Sequence, residues 1–225
     1  MDTPTHYNTT TGRNVLCEKS LTVNGEQAAA LVDLARAKGC FFMEAVWTRF
    51  QPISYTIGET IRSGAIGQLR SVQAELSVDL DEKTRDPNHR MVNPSLAGGA
   101  LLDLGYVPLH IVRKGNYLIQ SLGLKRPYPW TWLALILLPA HGALKSEIAP
   151  LKVAASIIKG PTGVDHSTVA AIQFPQEDGR IIHGTLTTGL DAQTTPSRVV
   201  VAHGSKGFLE IHWYCRYLLP VPTAH

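Results

Sequence analysis

Between Asn14 and Val46 the apolar residues change period twice, and that change limits the fold more than any other feature of the chain. Val15, Leu16 and Cys17 form a short apolar run ending in the charged pair Glu18-Lys19. From Asn24 to Lys38 the spacing becomes helical, with Ala28, Leu31, Val32, Leu34 and Ala35 on one face. Asn24 suits an N-cap, Lys38 puts a cation in the last turn, and Gly39 supplies the stop. Phe41 to Val46 is apolar again, broken only by Glu44, which if buried must be paired. Strand, helix, strand makes a βαβ unit with parallel strands. An apolar strand that delivers a carboxylate and an amine to its C-terminal end is how an open α/β sheet places chemistry at its crevice. Solvated loop charges are the other reading of Glu18 and Lys19, and this stretch alone leaves both open.

The rest of the chain reads differently. Pro52 to Gly64 predicts a second helix, with Ile53, Ile57 and Ile61 on one side. Gly64 to Gln68 is a turn. Leu69 to Leu80 alternates Val72, Ala74, Leu76 and Val78 with polar residues, as a half-exposed antiparallel strand does. Residues 81–97 form a polar loop, and Gly98-Gly99 opens an apolar helix expected to reach Leu109. Residues 115–150, which include the apolar Trp130 to Leu138, fit neither period cleanly. Short strands are expected over 153–158, 167–174, 181–188, 198–203 and 208–212, separated by the turns PTGVD, PQEDG and HGSKG. The expected fold class is therefore α/β plus α+β: a small βαβ piece over residues 14–50, then an α+β domain with a largely antiparallel sheet over the rest.

Composition narrows the function. At 225 residues and 44% hydrophobic the chain can bury a sizeable core. A net charge of +3, with no basic run interleaved with aromatics, gives no footprint for nucleic acid. Cys17, Cys40 and Cys215 form no disulfide framework, which fits a reducing, cytoplasmic setting. The Thr-rich N-terminus has no apolar core of a secretory signal, and the Trp130 to Leu138 run is too short to span a bilayer. His89, His110, His166, His183 and His203 share no metal-ligand spacing, so no metal site is expected.

Six stretches, in this order, resemble one family: GRNVLCEKSLTVN (12–24), FFMEAVWTRFQP (41–52), IRSGAIGQLRSVQAEL (61–76), PSLAGGALLDLG (94–105), KGPTGVDHST (159–168) and TTPSRVVVAHGSKGFLEI (194–211). They are similar to the Gfo/Idh/MocA oxidoreductases, in the branch of dimeric dihydrodiol dehydrogenase and NADP-dependent D-xylose dehydrogenase. The resemblance implies a partial Rossmann domain over residues 1–50, followed over 51–225 by a domain built on a large, open, mostly antiparallel sheet, through which a homodimer forms. It implies NADP or NAD as cofactor, a sugar, dihydrodiol or related small molecule as substrate, and hydride transfer between them. The family's E-K-P lysine, near the nicotinamide, matches Lys19, with Ser20 in the place of the proline that helps fix the turn. Its acidic group matches Asp103. Its tyrosine or histidine would fall at Val107, whereas Tyr106 stands one place earlier, about 100° round a helix. Glu18, Trp47 and Arg49 become candidates for the cofactor pocket beside Lys19. Trp47 in a core and Arg49 in a surface ion pair are the ordinary alternatives.

Hydride transfer from an alcohol needs a group to take the hydroxyl proton and a nicotinamide held against the carbon. Lys19 and Asp103, with Tyr106 as the remaining donor, are the expected catalytic set. The glycine turn that binds a pyrophosphate at the start of the first helix is missing upstream of residue 14, so the chain reads as a member truncated at both ends. Two functions stay open: an NAD(P)-dependent oxidoreductase, and a non-catalytic remnant that keeps a dimerising sheet without the cofactor site.

Overall fold

The computed structural model describes residues 8–45, 50–80, 86–105, 152–176, 178–195, 199–212 and 219–222. Strand β1 (Val15–Glu18) and strand β2 (Phe42–Ala45) pair in parallel, Val15 opposite Phe42 and Glu18 opposite Ala45. Helix α1 (Gly25–Ala37) connects them. Its start is set by Asn24, whose side chain accepts from the Gln27 N–H at 3.0 Å. Its end is set by Gly39 at φ 62°, a left-handed position that lets the Gly39 and Cys40 amides reach back to the carbonyls of Arg36 and Ala35. Ala28, Leu31 and Ala35 of this helix are buried, as are Val15 and Leu21.

Helix α2 (Pro52–Arg62) begins with proline, whose missing N–H costs nothing in a first turn. Strand β3 (Leu69–Ser77) follows. After the loop comes a single helical turn, α3 (Ala100–Asp103), preceded by a 3₁₀ turn over Pro94–Leu96. Strands β4 (Lys152–Lys159), β5 (Asp165–Pro175), β6 (Ile181–Gly189), β7 (Val200–Gly204), β8 (Gly207–Ile211) and β9 (Leu219–Pro222) complete the described chain.

The seven strands from β3 to β9 form one sheet in the order β4-β5-β6-β3-β7-β8-β9. Every neighbouring pair is antiparallel except β3 with β6, which run parallel with Ser71 opposite His183. The alternation in β3 is therefore that of a central strand with one parallel and one antiparallel neighbour, not of a wholly antiparallel one. Strand β9, with prolines at 220 and 222, was not expected from the sequence; an edge strand tolerates proline because one side of its ladder is unused. The helix expected to reach Leu109 is one turn through Asp103 within the described residues.

One face of the sheet carries the core. Val72, Ala74, Ala170, Ile172, Leu186, Ala202 and Leu209 pack with Ile57 and Ile61 of α2. A second cluster joins Leu76, Val78 and Leu190 to Met91, Val92, Ala100 and Leu104, tying the loop and α3 to one end of the sheet. The opposite face presents small and polar side chains, among them Ala171, Thr185 and Gln73, and Val169 there is 47% exposed.

Ile57, fully buried between α2 and the sheet, should be costly to truncate. Ile57→Ala is expected to lower the unfolding free energy in urea by about 2–5 kcal/mol. Tyr55→Ala, on the exposed side of the same helix, should change it by less than about 0.5 kcal/mol.

Candidate active site

Lys19 follows the last residue of β1, and the chain turns sharply there. The Lys19–Ser20 peptide is cis. The turn is held from below by Glu44 of β2, which is 1% exposed and whose Oε1 accepts the Leu21 N–H at 2.8 Å. The carboxylate that interrupts the apolar β2 thus anchors the residue two places after Lys19. A buried carboxylate with a hydrogen-bond partner is the form such a residue must take.

Lys19 Nζ reaches across to α3. It donates to Asp103 Oδ1 and to the Asp103 carbonyl oxygen, each at 2.9 Å. Ser20 Oγ donates to the Leu102 carbonyl at 2.8 Å, so adjacent residues on the turn grip adjacent residues on α3. The resemblance places a turn-fixing proline at the position of Ser20. The structure instead gives this serine a hydroxyl contact that proline could not make, and Lys19 itself is held at two points.

The second cation at this site was missed from sequence. Arg90 Nη1 donates to Asp103 Oδ1 at 3.0 Å and Nη2 to Oδ2 at 3.2 Å, a two-pronged pairing of guanidinium and carboxylate. Arg90 lies in a stretch read only as a polar loop. Its neighbours Met91 and Val92 are buried in the second cluster, and that apolar pair inside a polar loop was the available signal. Lys19 and Asp103 are 13% and 14% exposed, while Arg90 is 65% exposed and forms the rim. Burial pushes the Asp103 carboxyl up; hydrogen bonds from Arg90 and Lys19, with their charges, outweigh this and hold it below the usual carboxylate value.

These groups open on a pocket of about 950 Å³. One wall is α1, with Gln27, Ala30, Leu31 and Leu34. The other is the loop from Met91 through Pro94 to Gly98, and Lys19, Arg90 and Asp103 lie between them. An apolar cleft with a few convergent polar groups is the usual form of a small-molecule site. Of the residues picked from sequence, Lys19 and Asp103 come together here, and Glu18 stands exposed at the end of β1. Trp47, Arg49, Tyr106 and Val107 lie outside the described residues, as does the 115–150 segment. Among the described residues no cluster of side chains could hold a metal ion, and no helix is long and apolar enough to cross a membrane.

No family model matches the sequence. Curated proteins do. D-xylose 1-dehydrogenase (NADP(+)) of Hypocrea jecorina is 37% identical over 209 residues, which are 89% of this chain and 47% of that protein. Trans-1,2-dihydrobenzene-1,2-diol dehydrogenase of Bos taurus is 32% identical over 202 residues, 90% of this chain and 48% of that protein. The chain is similar to Gfo/Idh/MocA oxidoreductases. It spans about half the length of the curated relatives it matches. The fold agrees with solved structures: an aldose–aldose oxidoreductase of Caulobacter crescentus has a TM-score of 0.69 at 18% identity, over 98% of this chain and 59% of that one. An inositol dehydrogenase homolog of Azotobacter vinelandii complexed with NAD+ has a TM-score of 0.67 at 16% identity, over 97% and 53%.

The Asp103 pairing predicts a pH dependence. Its folded pKa lies below the unfolded value, so its stabilisation is present in full above the ordinary carboxylate pKa of about 3.9 and is lost as pH falls through that value toward the folded one. Asp103→Asn should therefore be less stable than the parent at pH 7, and the gap should close as pH drops below about 4. Urea unfolding of both proteins across this range checks it.

Proposed function

We propose that this chain is the proton-handling and sheet-bearing part of an NAD(P)-dependent oxidoreductase acting on an alcohol or carbonyl of a sugar, dihydrodiol or related small molecule. The observation that carries this reading is the Lys19–Asp103 pair, formed by residues from separate elements at the wall of a pocket. In this reading the Lys19 ammonium gives a proton to the substrate oxygen when a carbonyl is reduced, and the amine so formed takes the hydroxyl proton in the reverse reaction. Asp103 fixes where that amine points, and Arg90 keeps Asp103 ionised from the other side. The nicotinamide, when bound, supplies the hydride acceptor. The curated relatives, an NADP-linked D-xylose dehydrogenase and dihydrodiol dehydrogenases, support this reaction class.

The fit to a dinucleotide is partial. Lys19 and the pocket suit the reacting end. The connection from β1 to α1, Lys19 to Asn24, holds no glycine, and the Gln27 amide in the first turn of α1 is taken by Asn24. That connection offers no cradle for a diphosphate. Residues 1–50 are assigned to the cofactor domain and 51–225 to the sheet domain. The lack of a glycine turn also favours a second reading, a non-catalytic dimerising domain. In either, two copies associate through the uncovered sheet face bearing Val169 and Ala171.

Titration of the purified chain with NADPH and NADH, followed by nicotinamide fluorescence, separates the two readings. Micromolar binding is expected for the oxidoreductase, and none at millimolar cofactor would leave the dimerising domain. Where turnover with D-xylose or a trans-dihydrodiol is measurable, Lys19→Ala should reduce it by about 10²-fold or more. Turnover surviving that change would remove Lys19 from the mechanism. Sedimentation should give a dimer for the parent chain and a monomer for Val169→Asp.

A further inference from the structure

Asp165 opens β5 and is not among the residues that line the pocket. Its Oδ2 nevertheless accepts the Leu101 N–H of α3 at 2.7 Å. The same oxygen accepts the Thr168 hydroxyl at 2.9 Å, and Thr168 is 1% exposed. Its Oδ1 sits against Gly99 so closely that a side chain there would overlap it; Gly99, at φ 134°, has a backbone conformation suited to glycine. The Gly99 amide in turn donates to the Met91 carbonyl at 2.7 Å, one residue from Arg90.

A helix of one turn does not hold itself, because the first turn fixes several backbone angles for a single hydrogen bond. The position of α3 must come from outside it. The Leu101 amide is one of the donors a helix start leaves without an intrahelical partner. Asp165 occupies it from a strand of the main sheet. Leu101 and Asp103 are two residues apart, about 3 Å along the axis, so movement at one end of α3 is transmitted to the other.

We propose that Asp165 is a positioning residue for the Lys19–Asp103 pair, acting through the main chain of α3. It fixes the helix on the sheet so that the Asp103 carboxylate meets Lys19 from one side and Arg90 from the other. Its consequence for turnover rests on the functional reading above; its consequence for the pair does not.

The pair itself can be read without any activity. Carbon-detected NMR of aspartate-labelled chain follows the Asp103 carboxyl through its titration, with Asp103→Asn assigning the signal. In Asp165→Ala the pairing should loosen and the Asp103 titration should move up by about one unit, a tenfold change in the ratio of its two forms at a given pH. Simple loss of a neighbouring negative charge acts in the opposite direction, so the sign separates the two causes. Asp165→Asn keeps a carbonyl oxygen for Leu101 and Thr168 and should leave the upward shift absent. An unmoved or lowered titration in a folded Asp165→Ala overturns the proposal, as does Asp165→Asn shifting upward as far as alanine. If Asp165→Ala does not fold, Thr168→Val removes only the hydroxyl that orients the carboxylate. An upward shift smaller than tenfold is then expected, and none overturns the proposal. Absence of turnover in every variant, parent included, would sink the functional reading and leave the titration result standing.

Discussion

A carboxylate with little access to water needs cations, and Asp103 draws them from two sides. Taking a charged group out of water costs several kcal/mol unless its partners are in place. Lys19 comes from the end of the parallel strand pair and Arg90 from the loop, while Asp103 stands on a helical turn against the main sheet. Three segments remote in sequence are thereby set against one another by one ionised group. Ser20 on the Leu102 carbonyl and Glu44 under the Leu21 amide keep the Lys19 turn from drifting along that contact.

Apolar packing supports the same arrangement. The cluster that buries Met91 and Val92 leaves Arg90 beside them at the surface, turned toward Asp103. Ala100 and Leu104, on either side of Asp103, are buried in that cluster too. The side chains that carry charge are flanked by side chains that do not, and burial of the second kind aims the first. This is why the pocket has apolar walls and a charged strip between them.

Much of the local structure was legible in the sequence, because local structure follows periodicity and capping. Asn24 and Gly39 bound α1, and the alternation in residues 165–189 marks β5 and β6. What was not legible depends on distant pairing. Nothing near Val72 says that its strand lies between β6 and β7, parallel to one and antiparallel to the other. The prolines of β9 pointed away from a strand, and only its edge position makes them acceptable. Lys19 and Asp103 stood out through resemblance, since spacing cannot bring residues 84 positions apart together. Arg90 and Asp165 were hidden in a polar loop and a turn, where a charged residue carries little signal until its partner is known.

The place of β3 also decides the order in which the chain can assemble. It is made early, yet both its neighbours in the sheet come late: Ser71 pairs with His183 of β6, 112 residues further on, and β7 follows after that. Contacts that close such long loops are slow to form, since chain entropy is lost before they contribute stability. Until β6 and β7 arrive, β3 exposes Val72 and Leu76 together with both its backbone edges. On a ribosome this strand must wait for most of the chain to emerge, and in that interval it is the segment most in need of shelter from other copies of itself.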